Sequence, residues 1–137
     1  MFKGNNMNEE IILKSEDGVG IITLNRPERL NALTYNIVKK MNNFLDKCES
    51  DDDIKCVIIE GAGEKAFCAG GDVVSLRKQV LEEGGPPTEL SEKFFYDEYL
   101  LNYKINNFKK PYIALIDGVT MGGGVGVSMH GSHIVCT

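Results

Sequence analysis

Residues 112–130 read Y-I-A-L-I-D-G-V-T-M-G-G-G-V-G-V-S-M-H. The apolar run Tyr112–Ile116 predicts a buried strand, and Asp117-Gly118 predicts a turn. Gly122, Gly123 and Gly124 follow, and Met121, Val125 and Met129 then recur at helical spacing, which predicts a helix. The stretch is therefore strand, tight glycine turn, helix. Three successive glycines remove every Cβ from the turn, so another group can approach its backbone. The first N–H groups of a helix lack intrahelical partners, and the helix dipole adds partial positive charge there. Such a terminus suits a phosphate, a carboxylate or an oxyanion formed during a reaction. Tight packing of a helix on a sheet is the structural alternative. A dinucleotide site fails on spacing, because a G-x-G-x-x-G register begun at Gly122 ends on Val127, and one begun at Gly124 ends on Met129.

A second glycine turn lies upstream. A-F-C-A-G-G-D at residues 66–72 also follows an apolar run, at residues 56–59. Cys68 lies in this loop and is a conceivable nucleophile, although no histidine can be assigned beside it. The other cysteines, Cys48, Cys56 and Cys136, form no C-x-x-C pair and read as reduced thiols, mostly in the core.

Upstream again, residues 11–13 and 19–24 read as two strands of a hairpin, with residues 15–18 as its turn. Pro27 in the following N-R-P-E-R loop stops the second strand. Thr34 is a predicted N-cap, and Ile37, Val38, Met41, Phe44, Leu45 and Cys48 form one apolar helix face. Strand, helix, strand with this connection length predicts a right-handed crossover, parallel pairing and an α/β fold. Val73, Val74, Leu76 and Val80 suggest a short helix, and G-G-P-P within residues 82–88 a mobile loop. Ser91 is then expected to cap a helix running to about Asn107. Glu98 falls within its apolar stripe of Phe94, Leu101, Ile105 and Phe108. Either Glu98 faces a pocket, or the stripe is wide, Phe95 and Tyr99 carry the packing and Glu98 sits at the wet edge. Residues 133–136 read as a further strand, and residues 1–8 as disordered.

The 137 residues suffice for one domain, and 42% hydrophobic content supports a packed core. A net charge of −5 without a basic run argues against nucleic acid as a partner. No apolar stretch approaches the roughly 20 residues of a membrane span. In so acidic a chain, the local cations Arg26, Arg29 and Lys65 beside the two loops are either phosphate-binding or ordinary solvated charges.

Three ordered segments carry a resemblance. They are G-V-G-I-I-T-L-N-R-P-E-R-L-N-A-L, K-A-F-C-A-G-G-D, and K-P-Y-I-A-L-I-D-G-V-T-M-G-G-G-V-G-V-S-M-H-G. Together they resemble the enoyl-CoA hydratase/isomerase (crotonase) superfamily over nearly the whole chain from Glu10 onward. F-F-Y-D-E-Y-L-L-N and T-M-G-G-G-V-G look most like its 3-hydroxyisobutyryl-CoA hydrolase branch. The resemblance implies a crotonase-like spiral of ββα turns over residues 9–137, as the N-terminal portion of a domain whose core is completed elsewhere. It implies a CoA-thioester hydrolase of valine catabolism, with coenzyme A entering as part of the substrate and no cofactor held permanently. The oxyanion donors would be the backbone amides of Gly71 and Gly123, with Gly70, Asp72 and Glu98 contacting substrate; if the local cations Arg26, Arg29 and Lys65 bind phosphate, it would be that of CoA.

Hydratases of the superfamily carry a glutamate three residues after the middle glycine. Here that residue is Gly126, as in the hydrolases. The hydrolases place their catalytic glutamate and an aspartate beyond the strand at residues 133–136. The expectation is that the chain is the N-terminal part of such an enzyme, a truncated form or an incomplete gene model, and alone neither hydrolyses thioesters nor folds well. A non-catalytic acyl-CoA-binding or partner-binding form is the alternative class, and an enoyl-CoA hydratase or isomerase the alternative enzyme. The family role implies the mitochondrion. The N-terminus shows no transit pattern, which leaves the cytoplasm and the peroxisome open, as it leaves the oligomeric state.

Overall fold

A computed structural model describes residues 9–85 and 88–137. The expected disorder at residues 1–8, and the centre of the expected mobile loop at 86–87, lie outside the described residues. β1 (Ile11–Glu16) and β2 (Val19–Leu24) form the hairpin, with Glu16 opposite Val19. Its turn is only Asp17-Gly18, at φ 50° and 80°. Aspartate followed by glycine tolerates positive φ at both centres of such a turn, so β1 runs three residues further than expected.

Thr34 caps α1 (Tyr35–Ser50) by accepting from the Ile37 amide. The predicted face of α1 is buried, with Phe44 at its margin. β3 (Cys56–Gly61) returns parallel to β2. From there the chain repeats one course. β3, then β4 (Ala66–Cys68), leads to α2 (Val73–Glu82) and α3 (Glu89–Asn106). β5 (Tyr112–Ile116), then β6 (Val119–Thr120), leads to α4 (Gly123–Met129), and β7 (His133–Cys136) follows. Each course gives one strand to a five-stranded sheet of order β1-β2-β3-β5-β7 and one to a two-stranded sheet, β4-β6. All pairings except the first hairpin are parallel, so the molecule is α/β with successive ββα passes.

Several local expectations are corrected. β4 and β6 have three and two residues and sit inside the glycine loops, too short for any periodicity to register. Thr88, not Ser91, is the N-cap of α3. Ser91 answers from N3, its hydroxyl accepting from the Thr88 amide while Thr88 Oγ1 accepts from the Ser91 amide. Two hydroxyls three residues apart make a reciprocal box that spacing alone cannot orient. The expected helix is α4, with Met121, Val125 and Met129 on its outer side, 56%, 41% and 46% exposed. The packed side is Gly124, Gly126, Val127 and Ser128. A Cβ built on Gly124 would overlap the Cys68 carbonyl oxygen, so the glycine side is what lets α4 close onto β4. Val73 and Val74 likewise point outward, and Val80 is the buried member of α2.

Candidate active site

The two glycine turns meet. Gly70 and Gly71 end the β4 loop, Gly122 and Gly123 open α4, and a Cβ on Gly123 would lie 3.4 Å from the Gly71 nitrogen. A Cβ on Gly70, at φ +102°, would lie 3.2 Å from the Gly123 nitrogen. The β4-β6 pairing and the bond from the Met121 amide to Cys68 O, at 3.1 Å, hold the turns side by side.

Both central amides lack an acceptor among the described residues. Gly71 forms a parallel bridge with Leu33 through its neighbours. Leu33 N–H donates to Gly70 O at 2.7 Å and Asp72 N–H donates to Leu33 O at 2.8 Å. In that geometry the Gly71 N–H faces away from Leu33, and no described group accepts it. Gly123 is the first residue of α4, where an N–H has no intrahelical acceptor. Gly124 and Val125 turn back to Met121 O and Gly122 O, leaving the Gly123 N–H without an acceptor among the described residues. Two unpaired donors from separate turns can hold one oxygen on which negative charge develops.

Glu98 closes the site. It is 9% exposed, whereas Phe95 and Tyr99 are 44% and 68% exposed, so the wet-edge alternative is overturned. A Cβ on Gly123 would overlap the Glu98 carboxylate, which places that carboxylate directly against the turn. Burial pushes the Glu98 carboxyl above its ordinary 4.5. The native state therefore binds this proton more tightly than the unfolded chain does. Glu98 then subtracts stability as pH rises above about 4.5. Glu98→Gln, neutral throughout, is expected to raise the urea midpoint, with an advantage that grows between about pH 4 and pH 7. An advantage that is flat or reversed across that range would contradict this.

One helical turn further along each helix, Asn102 of α3 faces Gly126 of α4. A Cβ on Gly126 would sit 2.7 Å from both amide atoms of Asn102, whose Oδ1 is buried without a partner among the described residues. A side chain at 126 would require the Asn102 amide to move aside. Gly123 and Gly126 thus let α3 place Glu98 and Asn102 against α4. Asn102 was missed because a single asparagine in a helix carries no pattern.

The remaining candidates separate. Arg26 is not a free cation: its side chain is 13% exposed and bonded to Asp72 Oδ2 at 2.9 Å and Ala32 O at 2.7 Å, with Glu10 at 3.5 Å. Asp72 is equally occupied, accepting from Arg26 and capping α2 at Ser75. Arg29 and Lys65 are exposed, and Lys65 lines a groove of about 340 Å³ with Pro27, Glu28, Glu64 and Ala66. Cys68 is fully buried and its thiol is pushed up to about 11 by that burial, which leaves it a poor thiolate. A second cavity, of about 400 Å³, opens beyond Leu33 and Phe94, the side chains that flank the turns.

The enoyl-CoA hydratase/isomerase family pattern matches residues 19–137. The chain belongs to the enoyl-CoA hydratase/isomerase family. It is 48% identical over 128 residues to a mitochondrial 3-hydroxyisobutyryl-CoA hydrolase of Danio rerio, covering 93% of this chain and 32% of that protein. It is 44% identical over 137 residues to the mitochondrial 3-hydroxyisobutyryl-CoA hydrolase of Homo sapiens, covering 34% of it. The chain thus spans about a third of the length of these relatives. Among solved structures it is similar to a carnitinyl-CoA dehydratase from Mycobacterium thermoresistibile, with a TM-score of 0.87, 43% identity and coverage of 94% of this chain and 37% of that one. An enoyl-CoA hydratase from Rhodobacter sphaeroides also gives 0.87, at 34% identity, with 93% and 37% covered. The family's fold is therefore the fold of these ββα passes. No described helix is long and apolar enough to cross a membrane.

Proposed function

We propose that this chain is the oxyanion-binding part of a CoA-thioester hydrolase acting on 3-hydroxyisobutyryl-CoA or a close hydroxyacyl analogue, in the mitochondrion like its relatives. The observation that carries the reading is the convergence of the unpaired Gly71 and Gly123 amides beside the buried Glu98 carboxylate. A thioester carbonyl oxygen lying between the two amides gains their bonds most strongly once attack makes it an oxyanion. Glu98, the carboxylate packed on the Gly123 turn, is the group for a substrate hydroxyl. Gly126, packed against the Asn102 amide, carries no acid where the hydratases have one, which favours hydrolysis over the hydratase alternative.

The exposed Lys65 and Arg29 remain for the CoA phosphates, and Arg26 does not. Calorimetric titration with CoA at low and physiological ionic strength tests this. Lys65→Ala is expected to weaken binding several-fold and to flatten its salt dependence. A dissociation constant that ignores both salt and the substitution would remove Lys65. The function itself is tested by release of free CoA from 3-hydroxyisobutyryl-CoA. The assay uses a chimera joining residues 10–137 to the remaining two thirds of the Danio rerio relative. Binding of the thioester without release would favour the non-catalytic acyl-CoA-binding form.

A further inference from the structure

We propose that Arg26 is a positioning residue which, through Asp72, sets the direction of the Gly71 N–H; this rests on the oxyanion reading of that amide. In a trans peptide the carbonyl and the following N–H point in opposite directions. The Gly71 N–H is therefore aimed by wherever the Gly70 carbonyl is held, and that carbonyl is held by the Leu33 amide at 2.7 Å. On its other side, Asp72 N–H is tied to Leu33 O at 2.8 Å. Both peptide planes around Gly71 are thus referred to Leu33.

The Arg26 guanidinium spans the flanks of this bridge. Its Nη1 bonds to Ala32 O, one residue before Leu33, at 2.7 Å, and its Nη2 bonds to Asp72 Oδ2, one residue after Gly71, at 2.9 Å. The planar fork reaches both partners at once, which a lysine ammonium on a flexible stem does not reproduce. Glu10 steadies the third nitrogen at 3.5 Å, and its other oxygen accepts from the Thr34 hydroxyl at 2.9 Å. The loop carrying Arg26 is itself fixed. Arg26 N–H donates to Asn31 Oδ1, and Asn31 Nδ2 donates to Ala62 O and Ala66 O on either side of the β3–β4 connection. The Arg26 and Asp72 side chains are 13% and 12% exposed, so their bond is poorly screened. A misplacement of about 1 Å at a reacting centre can cost roughly a hundredfold in rate, which makes such a clamp consequential.

The test uses the chimera of residues 10–137 with the rest of the Danio rerio relative, carrying Asp72→Asn, which keeps an N-cap oxygen for Ser75 but loses the ion pair, or Arg26→Lys, which keeps the charge but loses the fork. Amide hydrogen exchange of Leu33 and Asp72 is followed in the unliganded protein, with α1 amides as internal reference. The carbonyl stretch of isobutyryl-CoA labelled with ¹³C at the thioester carbon reports oxyanion-type polarisation. Titration with CoA alone reports phosphate binding. Both variants are expected to speed exchange at Leu33 and Asp72 at least tenfold relative to α1, and to reduce the red shift of the bound carbonyl. Affinity for CoA should stay within twofold. A tenfold loss of CoA affinity with unmoved amides would overturn the proposal in favour of a phosphate site. Equal acceleration throughout α1, or an unchanged carbonyl stretch in a variant that binds the thioester, would overturn it in favour of a purely structural pair. If the wild-type chimera binds no thioester, the oxyanion reading fails while the amide exchange still decides whether Arg26 holds Gly71.

Discussion

Gly123→Pro is expected to lower thioester turnover at least a hundredfold in the chimera that carries this segment. Proline lacks the N–H, and losing one oxyanion donor costs roughly 3–4 kcal/mol of barrier in other enzymes. Gly123 opens α4, the one helical position where proline's fixed φ and missing donor are tolerated, so the helix itself should survive. The substitution also adds carbon where Glu98 and Leu33 crowd the turn. Gly123→Ala separates the two effects, since it keeps the donor and adds the same Cβ. Alanine is expected to raise KM for the hydroxyacyl substrate by disturbing Glu98 while retaining most of kcat. Turnover within threefold of wild type for the proline variant would remove Gly123 from the oxyanion site. A kcat equally low for both variants would assign the loss to crowding.

Asn31→Ala should have the largest effect on stability, roughly 3–5 kcal/mol. The residue is 1% exposed and sits at φ 55°, a left-handed conformation that asparagine accepts and alanine resists. Its side chain accepts from the Arg26 amide at 2.9 Å and donates to Ala62 O at 2.9 Å and Ala66 O at 2.8 Å. Alanine would leave these groups without their partner, and an unsatisfied buried polar group costs roughly 1–3 kcal/mol. The measurement is the urea midpoint at constant m-value. Asn31→Gly relieves the backbone strain without restoring the bonds and is expected to recover about 1 kcal/mol of the loss. A loss below about 1 kcal/mol for the alanine variant would mean that the three bonds are not net stabilising.

Thr34 and the α1 face were legible because both lie within one helix, where i to i+4 spacing is the contact itself. The hairpin, the parallel β3 and the strand–glycine–helix turns were legible for the same local reason. Glu98 was ambiguous because a helical wheel shows that a carboxylate lies on a stripe and not what faces it. The element that faces it, α4, begins 25 residues downstream. Arg26 was read as either phosphate-binding or solvated because a loop arginine beside a glycine turn looks free until Asp72, 46 residues away, is seen holding it. Met121, Val125 and Met129 marked the helix, but apolar spacing does not say that the glycine side of that helix is the one packed.

The sequence by itself determined the α/β class, the two glycine turns and the family to which they belong, since each is written in consecutive residues. The resemblance implied that the turns meet at Gly71 and Gly123, while the tertiary structure alone decided that Glu98 is buried against them, that Asn102 packs on Gly126, and that Arg26 is engaged within the fold. Those facts depend on groups distant along the chain being brought within a few ångströms, and on burial that removes water from a carboxylate and an ion pair. Spacing encodes neither the partner nor the desolvation.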